Sequence, residues 1–177
     1  MTAPHTAAAG RRAYRTLTAA AMFAAMIALT TAYLFHIPVG ANGGYIHVGD
    51  AFIYLAASAL PAPYACAAAA IGGGLADFLS GAPIWVLPTM LIKPLNALCF
   101  SSRGGRFLTR RNALMTVAAG LVTIVGYYLA EAVLTGNWLA PLVGLGGGLL
   151  QPVGSAAVYL LVAGSVDRLD LKRRLAL

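Results

Sequence analysis

The sequence predicts an all-α integral membrane protein, a bundle of six transmembrane helices with both termini in the cytoplasm. Two observations predict this fold class. Hydrophobic residues make up 60% of the 177 residues and charged residues only 10%, whereas charged residues are about a quarter of a soluble domain. The Lys and Arg residues also cluster in short segments between long apolar ones. Folded in water, such a chain would expose more apolar surface than it could bury, so its solvent is lipid.

The apolar segments predict six helices, at about 13–35, 48–60, 64–79, 83–100, 112–134 and 143–166. The first helix is long enough to cross the hydrocarbon core. The second is too short to do so unaided, which indicates a tilted helix, one packed behind longer neighbours, or a re-entrant hairpin formed with the third. Residues 1–12 are expected to form a disordered cytoplasmic leader, 13–166 the membrane domain and 167–177 a basic cytoplasmic tail.

The positions of the basic residues orient the bundle. Eleven of the twelve Lys and Arg residues fall into three clusters: Arg11, Arg12 and Arg15; Arg103, Arg106, Arg110 and Arg111; and Arg168, Lys172, Arg173 and Arg174. The connections 36–47, 80–82 and 135–142 contain neither Lys nor Arg. The positive-inside rule therefore places both termini in the cytoplasm, and a count of five or seven helices would leave one cluster outside. Because topology explains these charges, the net charge of +7 does not indicate a nucleic-acid partner.

Four ionisable residues lie within or beside the predicted helices: Asp50, Asp77, Lys93 and Glu131. Each costs roughly 2.5–3.5 kcal/mol on membrane-insertion scales, so each needs a partner or a wet cavity. The three acids lie on the outer side and Lys93 lies nearer the middle of the membrane, which concentrates the polar groups in the outer half. Asp50 also has a simpler interpretation, since an acid in the first turn of a helix caps it and opposes the macrodipole.

Polar and aromatic residues form stripes at helical spacing on three successive helices: Trp85, Thr89, Lys93 and Asn96; Thr116, Thr123, Tyr127 and Glu131; and Gln151, Ser155 and Tyr159. Residues three and four apart share a helix face, so the stripes indicate a shared ligand cavity. The alternatives are interhelical hydrogen bonds that only hold the bundle together, including a structural ion pair between Lys93 and Glu131. Trp85 could equally be an interfacial anchor, which is the expected role of Trp138.

The sequence lacks the motifs of several functional classes. It has no nucleotide-binding loop, no H-E-x-x-H and no G-x-S-x-G motif. His5, His36 and His47 lack the spacing of a metal site, so neither a metal nor a cofactor is predicted. Cys66 and Cys99 could pair, but buried free thiols are the favoured interpretation.

Small residues recur every four positions on the first helix, at Ala20, Ala24 and Ala28. Such a stripe lets another helix approach closely. The helix could belong to a partner subunit or to this chain.

Five segments are similar to one known family: Gly44-Tyr45-Ile46-His47-Val48-Gly49-Asp50-Ala51; Gly72-Gly73-Gly74-Leu75-Ala76-Asp77 with Ser80-Gly81; Pro88-Thr89-Met90-Leu91-Ile92-Lys93; Gly126-Tyr127-Tyr128-Leu129-Ala130-Glu131-Ala132; and Leu149-Leu150-Gln151. In order and spacing, over about residues 15–165, they resemble the S components of energy-coupling factor (ECF) vitamin transporters. These are the substrate-capture subunits of importers. The likeness is nearest to the branch linked with pyridoxine and hydroxymethylpyrimidine-like compounds.

The resemblance implies a multi-pass protein of a prokaryotic plasma membrane that is not an enzyme. It implies an outward-facing pocket, closed by the loop between helices 1 and 2, for a small polar vitamin or precursor. It also implies that helix 1 docks through Ala20, Ala24 and Ala28 onto a membrane scaffold (T) subunit coupled to two ATPase subunits. The expected substrate contacts are Tyr45, Trp85, Lys93, Asn96, Tyr127, Glu131 and Gln151. One difference from the family is that Gly146-Gly147-Gly148 stands where members often carry Asn.

Two other functions remain open on the sequence. A small membrane enzyme acting on a lipid or isoprenoid would use Asp77 and Glu131 as acid and base, although no motif supports it. A purely structural subunit would have the Lys93 and Glu131 stripes facing each other without a cavity.

Overall fold

The computed structural model describes residues 3–34, 37–39 and 44–175, and within these it describes side chains outside 3–9, 38–39, 44–46, 143–147, 173 and 175. The elements in chain order are α1 (Ala3–Tyr33), β1 (Ile37–Val39), β2 (Gly44–Ile46), α2 (Asp50–Ala59), α3 (Ala62–Leu79), a 3₁₀ turn (Pro83–Trp85), α4 (Val86–Leu98), α5 (Arg110–Thr135), α6 (Ala140–Arg168) and α7 (Leu171–Leu175). The long helices α1 to α6 follow the six predicted apolar segments closely.

The two ends of the bundle differ in chemistry. At the end called here the basic end, α2 and α4 finish, α5 begins and α7 lies beside them. At the opposite end, called the strand end, α2 begins and the antiparallel strands β1 and β2 pair, with Tyr45 opposite Pro38.

Helix α1 starts earlier than the sequence predicts. Residues 1–12 are predicted as a disordered leader, whereas the structure is helical from Ala3. The segment is rich in Ala, the strongest helix former. Its one proline, Pro4, stands in the first turn, where a missing N–H group costs little.

Four of the described helices are long and apolar enough to cross a membrane: Gly10–Tyr33, Ala62–Leu79, Arg110–Thr135 and Gly148–Arg168. Helix α2 has only ten residues, and nine of them are buried. It therefore packs behind longer neighbours, as its length suggested. Helix α4 has thirteen residues and extends from the 3₁₀ turn. Six full spans and the cytoplasmic position of both termini stay predictions.

Three consecutive glycines on α3 allow close helix packing on both sides. A Cβ atom at Gly72 would lie 2.7 Å from the Ala24 carbonyl oxygen on α1. A Cβ atom at Gly73 would lie 2.7 Å from Thr89 Cγ2 on α4. Because real Cβ atoms do not come this close, α3 can pack between α1 and α4 only with glycine at these positions.

The small-residue face of α1 packs inside the chain. Ala20, Ala24 and Ala28 expose only 5–8% of their surface, and this face lies against α3. The expectation that these three alanines form the docking surface for a partner is therefore not met in this structure. The spacing correctly indicated a close helix contact, but the helix is this chain's own α3.

An aromatic cluster fills the basic end. The Tyr54 ring stacks on Phe100 with a centroid separation of 4.6 Å, and Tyr159 packs edge-on against both. Tyr159 Oη also donates to the Phe107 carbonyl oxygen over 2.9 Å. Tyr159 therefore belongs to the packing of this end, and its place in the predicted ligand stripe of α6 is wrong.

The two cysteines are free thiols in the structure, as the favoured interpretation has it. Cys66 Sγ donates to the Pro94 carbonyl oxygen and Cys99 Sγ to that of Leu95.

Candidate ligand-binding site

A buried ion pair joins α2 and α4. Lys93 Nζ lies 2.7 Å from Asp50 Oδ1, and the two side chains are 2% and 0% exposed. Gln151 on α6 donates from Nε2 to the other carboxylate oxygen, Asp50 Oδ2, over 3.0 Å. Three helices thus place an ammonium, a carboxylate and an amide next to one another in the interior.

Asp50 does not form the helix-capping hydrogen bond that its position suggests. The N-cap of α2 is Gly49, and no side chain makes a capping hydrogen bond there. Asp50 stands in the first turn, but its carboxylate binds Lys93 and Gln151. The prediction of a capping hydrogen bond is wrong, whereas the acid still stands in the first turn, where its charge opposes the macrodipole.

The chain is held tightly just before Asp50. The Gly49 N–H donates to His47 Nδ1 over 3.0 Å. A Cβ atom at Gly49 would overlap the hydroxyl group of Thr31 on α1, so only glycine fits. The His47 side chain is buried. This turn places Asp50 at the start of α2 where Lys93 can reach it.

One aromatic ring lies beside the ion pair and packs against a second. Lys93 Nζ lies 5.0 Å from the Tyr127 ring centroid, a cation–π distance. The Trp85 and Tyr127 centroids are 5.9 Å apart, with their planes at 54°. Trp85 is 7% exposed and Trp138 is 59% exposed. Burial beside Tyr127 favours a site role for Trp85, while the exposure of Trp138 fits an interfacial anchor.

Hydrogen bonds between α4 and α5 join the two polar stripes predicted on these helices. Tyr127 Oη lies 2.8 Å from Thr89 Oγ1, and Asn96 Nδ2 donates to Thr123 Oγ1 over 2.8 Å. Asn96 is completely buried, and its Oδ1 has no hydrogen-bond partner within the described part of the chain. The amide therefore keeps one acceptor available one helical turn below Lys93.

The remaining predicted residues take different positions. Glu131 is partly buried one turn beyond Tyr127. The ion-pair partner of Lys93 is Asp50, so the hypothesis of a Lys93–Glu131 pair is not supported. Asp77 is buried on α3, and its negative charge acts on Lys93. The prediction that Tyr45 closes the site concerns a side chain outside the described ones.

Asp50 is the main residue that the site prediction missed, and a signal for it existed. Lys93 was the one basic residue that topology did not explain, and a membrane-buried ammonium requires an acid. Thr89 and Thr123 belong to the predicted stripes, and the structure places their hydroxyl groups against Tyr127 and Asn96. Thr116 is not part of the site, since its hydroxyl group donates to the Ala113 carbonyl oxygen of its own helix.

The arrangement suits the binding of a small polar ring. Taking two charges out of water costs several kcal/mol each, so a buried pair is weak support for stability alone. Here the pair stands beside two aromatic rings and two amides, which can together stack against and hydrogen-bond a planar ligand. All these groups are side chains, so they can exchange partners by changing rotamers.

A comparison with protein families matches the chain to a transport family. The model of the family described as "ECF-type riboflavin transporter, S component" matches residues 12–168. A protein of Pyrococcus woesei, described as an uncharacterized protein in the gap 3' region, is 35% identical over 112 residues. Those residues cover 60% of this chain and 72% of that protein.

Proposed function

Since the chain belongs to the family of ECF-type riboflavin transporter S components, it is a substrate-binding membrane subunit of an ECF transporter, and we propose that it captures a small, planar, polar vitamin or vitamin precursor. The family consists of transport subunits and is not an enzyme family. The enzyme hypothesis built on Asp77 and Glu131 is therefore not taken further.

One observation carries the proposal: Lys93, Asp50 and Gln151 meet in the interior beside the Tyr127 ring. A one-ring compound with ring nitrogens and hydroxymethyl groups, such as pyridoxine or hydroxymethylpyrimidine, offers acceptors to the ammonium and donors to the carboxylate. Its flat face suits stacking on Tyr127 and Trp85, and Asn96 and Glu131 supply further polar groups within reach of a larger substituent. The likeness of the sequence motifs to the pyridoxine and hydroxymethylpyrimidine branch supports this choice.

Riboflavin is the second candidate substrate, because the matching family is described by that vitamin. Its three fused rings need a longer stacking surface than a one-ring compound. The two candidates therefore differ in size, and a direct binding comparison separates them.

The test is isothermal titration of the purified full-length chain with pyridoxine, hydroxymethylpyrimidine, thiamine and riboflavin. We expect a one-ring compound to bind with a Kd on the order of micromolar or tighter, and riboflavin to bind more weakly. Binding of riboflavin alone would replace the proposed substrate class. Absence of a tight ligand in the whole panel would refute the substrate assignment.

We also propose that the chain works in a prokaryotic cell membrane with a scaffold (T) subunit and two ATPase subunits. The exposed face of α1 is the candidate docking surface, because Ala20, Ala24 and Ala28 are covered by α3. That face carries small residues at Thr18, Ala21 and Ala25, which would let a scaffold helix approach closely.

Co-purification with the scaffold and ATPase subunits tests the docking surface. Ala21→Trp with Ala25→Trp should abolish co-purification, since two large side chains keep a partner helix away. Val117→Trp, on the exposed face of α5, is the matched control and should leave co-purification unchanged. Equal retention of the partners by both variants would contradict this docking surface.

A further inference from the structure

A crevice of about 620 Å³ opens at the basic end, away from the candidate ligand site. It lies where α2 and α4 finish and α3 and α5 begin. Its lining residues are Ala57, Leu60, Pro61, Ala62, Pro63, Ala97, Phe100, Ser101, Ser102, Arg103 and Arg111. None of the side chains that line it is acidic.

The crevice has an apolar floor and a polar, basic rim. Ala57, Leu60, Ala97 and Phe100 are all buried and form the floor. The rim carries Ser101, Ser102 and the exposed arginines Arg103 and Arg111. Arg111 Nη1 donates to Asn112 Oδ1 over 3.3 Å, so this contact uses only one of the five N–H donors of its guanidinium group.

The electrostatic field in the crevice comes from side chains and not from helix dipoles. Two helix C-termini and two helix N-termini meet here, so their macrodipoles oppose one another and largely cancel. The nearby Asp167 carboxylate is occupied, since both its oxygens accept backbone N–H groups, from Phe107 and Leu108, at 2.8 Å. The two guanidinium groups, together with the Lys172 ammonium that donates to the Ser102 carbonyl oxygen at 2.8 Å, make the local charge positive.

We propose that this crevice binds the headgroup of an anionic phospholipid. Guanidinium groups bind phosphate oxygens with two parallel hydrogen bonds, and the serine hydroxyl groups can donate as well. The apolar floor suits the glycerol backbone and the first carbons of an acyl chain. A free phosphate ion would leave this floor uncovered. Basic pockets between membrane helices bind such headgroups, and the positive-inside prediction places this end at the cytoplasmic leaflet, where anionic lipids concentrate.

Native mass spectrometry of the full-length chain in detergent tests the proposal, with phosphatidylglycerol and phosphatidylcholine of identical acyl chains as probes. We expect the wild type to retain phosphatidylglycerol over phosphatidylcholine on the order of tenfold. Arg103→Gln with Arg111→Gln should reduce that preference to about twofold or less. Arg106→Gln with Arg110→Gln removes the same charge from the same connection, outside the crevice, and should keep the preference.

A second variant separates shape from charge. Ala62→Trp should fill the crevice from the exposed start of α3 and displace the lipid without changing any charge. Equal loss of preference in the two arginine pairs would show a non-specific charge effect and overturn the proposal. Displacement of the lipid by soluble glycerol phosphate would assign the crevice to a soluble phosphate compound instead. If Arg103→Gln with Arg111→Gln lost co-purification with the scaffold subunit but kept its lipid preference, the crevice would be a protein-docking surface.

Discussion

The chain contains two buried lysines, one in each half of the bundle. Their ammonium groups are bound by different kinds of partner. Lys93 is 2% exposed and faces the carboxylate of Asp50. Lys172 is 5% exposed on α7 and donates to the backbone carbonyl oxygens of Ser58, Ser102 and Gly104 at 2.7, 2.8 and 2.6 Å. One ammonium is held by side chains and the other by the backbone.

The carbonyl groups around Lys172 attach α7 to the basic end. Helix α2 ends at Ala59, which leaves its last carbonyl groups without partners in the helix. The ammonium group of Lys172 satisfies one of them, at Ser58, and links it to the connection between α4 and α5. Burial lowers the pKa of Lys172, and the Asp167 carboxylate opposes that shift. The segment predicted as a basic tail therefore contains a helix whose lysine stabilises the basic end.

The difference indicates which lysine can serve a ligand. The carbonyl groups that bind Lys172 belong to the main chain and cannot turn toward a ligand without backbone movement. Asp50, Gln151 and Tyr127 can release or reorient around Lys93 by side-chain rotation alone. We therefore assign ligand binding to Lys93 and a structural role to Lys172, and the predictions below separate the two.

The largest effect is expected when the acid of the ion pair is removed. Asp50→Asn leaves the Lys93 ammonium buried without its counter-charge and should lower the free energy of unfolding by about 3–5 kcal/mol. Asp50→Asn with Lys93→Met removes both charges and should recover most of that loss. Unfolding of both variants in detergent measures the difference, and an unchanged stability of Asp50→Asn would show that the pair is not energetically coupled.

Removal of the caged lysine should destabilise the protein without affecting ligand binding. Lys172→Met leaves three close carbonyl groups without their donor and should cost about 2–3 kcal/mol of unfolding free energy. Arg174→Met removes one positive charge from an exposed position on the same helix and should cost little unfolding free energy. The ligand Kd should stay within twofold or so in both variants, since surface and distant sites act independently. A Kd that rose with Lys172→Met alone would contradict the separation of roles.

Substitution of a glycine near Lys93 should affect stability and ligand binding more than substitution of a glycine near Lys172. A Cβ atom at Gly73 would press on Thr89 Cγ2 and lie 3.2 Å from Lys93 Cγ. Gly73→Ala should therefore cost about 1–3 kcal/mol and weaken ligand binding. A Cβ atom at Gly104 would lie 3.0 Å from Thr109 Cγ2, and its next neighbour, the Arg106 carbonyl oxygen, would be at an ordinary contact distance of 3.7 Å. Gly104→Ala should cost less and leave the Kd unchanged, as stability and titration measurements on the pair would show.

The smallest effects are expected from two tyrosine hydroxyl groups. Tyr127→Phe removes the contact with Thr89 but keeps the ring near Lys93, so it should cost about 1 kcal/mol of unfolding free energy. Tyr159→Phe removes the bond to the Phe107 carbonyl group and the contact with Ser58 Oγ, and should cost about 1–2 kcal/mol. Only Tyr127→Phe should weaken ligand binding. A weaker Kd in Tyr159→Phe would place the ligand at the basic end.

Hydrophobicity and charge were enough to predict the helices, because lipid requires apolar segments and basic residues mark their ends. The three glycines of α3 were likewise readable as a close-packing segment. The sequence indicated that Lys93 needs an acid but not which one, because Asp50 is brought to it by the rotation and depth of α2, which periodicity does not fix. The same holds for Ala20, Ala24 and Ala28, whose spacing predicts a close neighbour without saying which one. The burial of Lys172 was not predictable, because it stands among exposed basic residues and the positive-inside rule explains all of them.

The most direct test of the central claim is ligand titration of Asp50→Asn with Lys93→Met, using whichever compound of the vitamin panel binds the wild type. This variant is expected to fold because it removes both charges of the ion pair together. We predict a Kd weakened on the order of a hundredfold, with the Lys172→Met variant binding like the wild type. Wild-type affinity in the double variant would show that the buried ion pair is structural and that the substrate binds elsewhere.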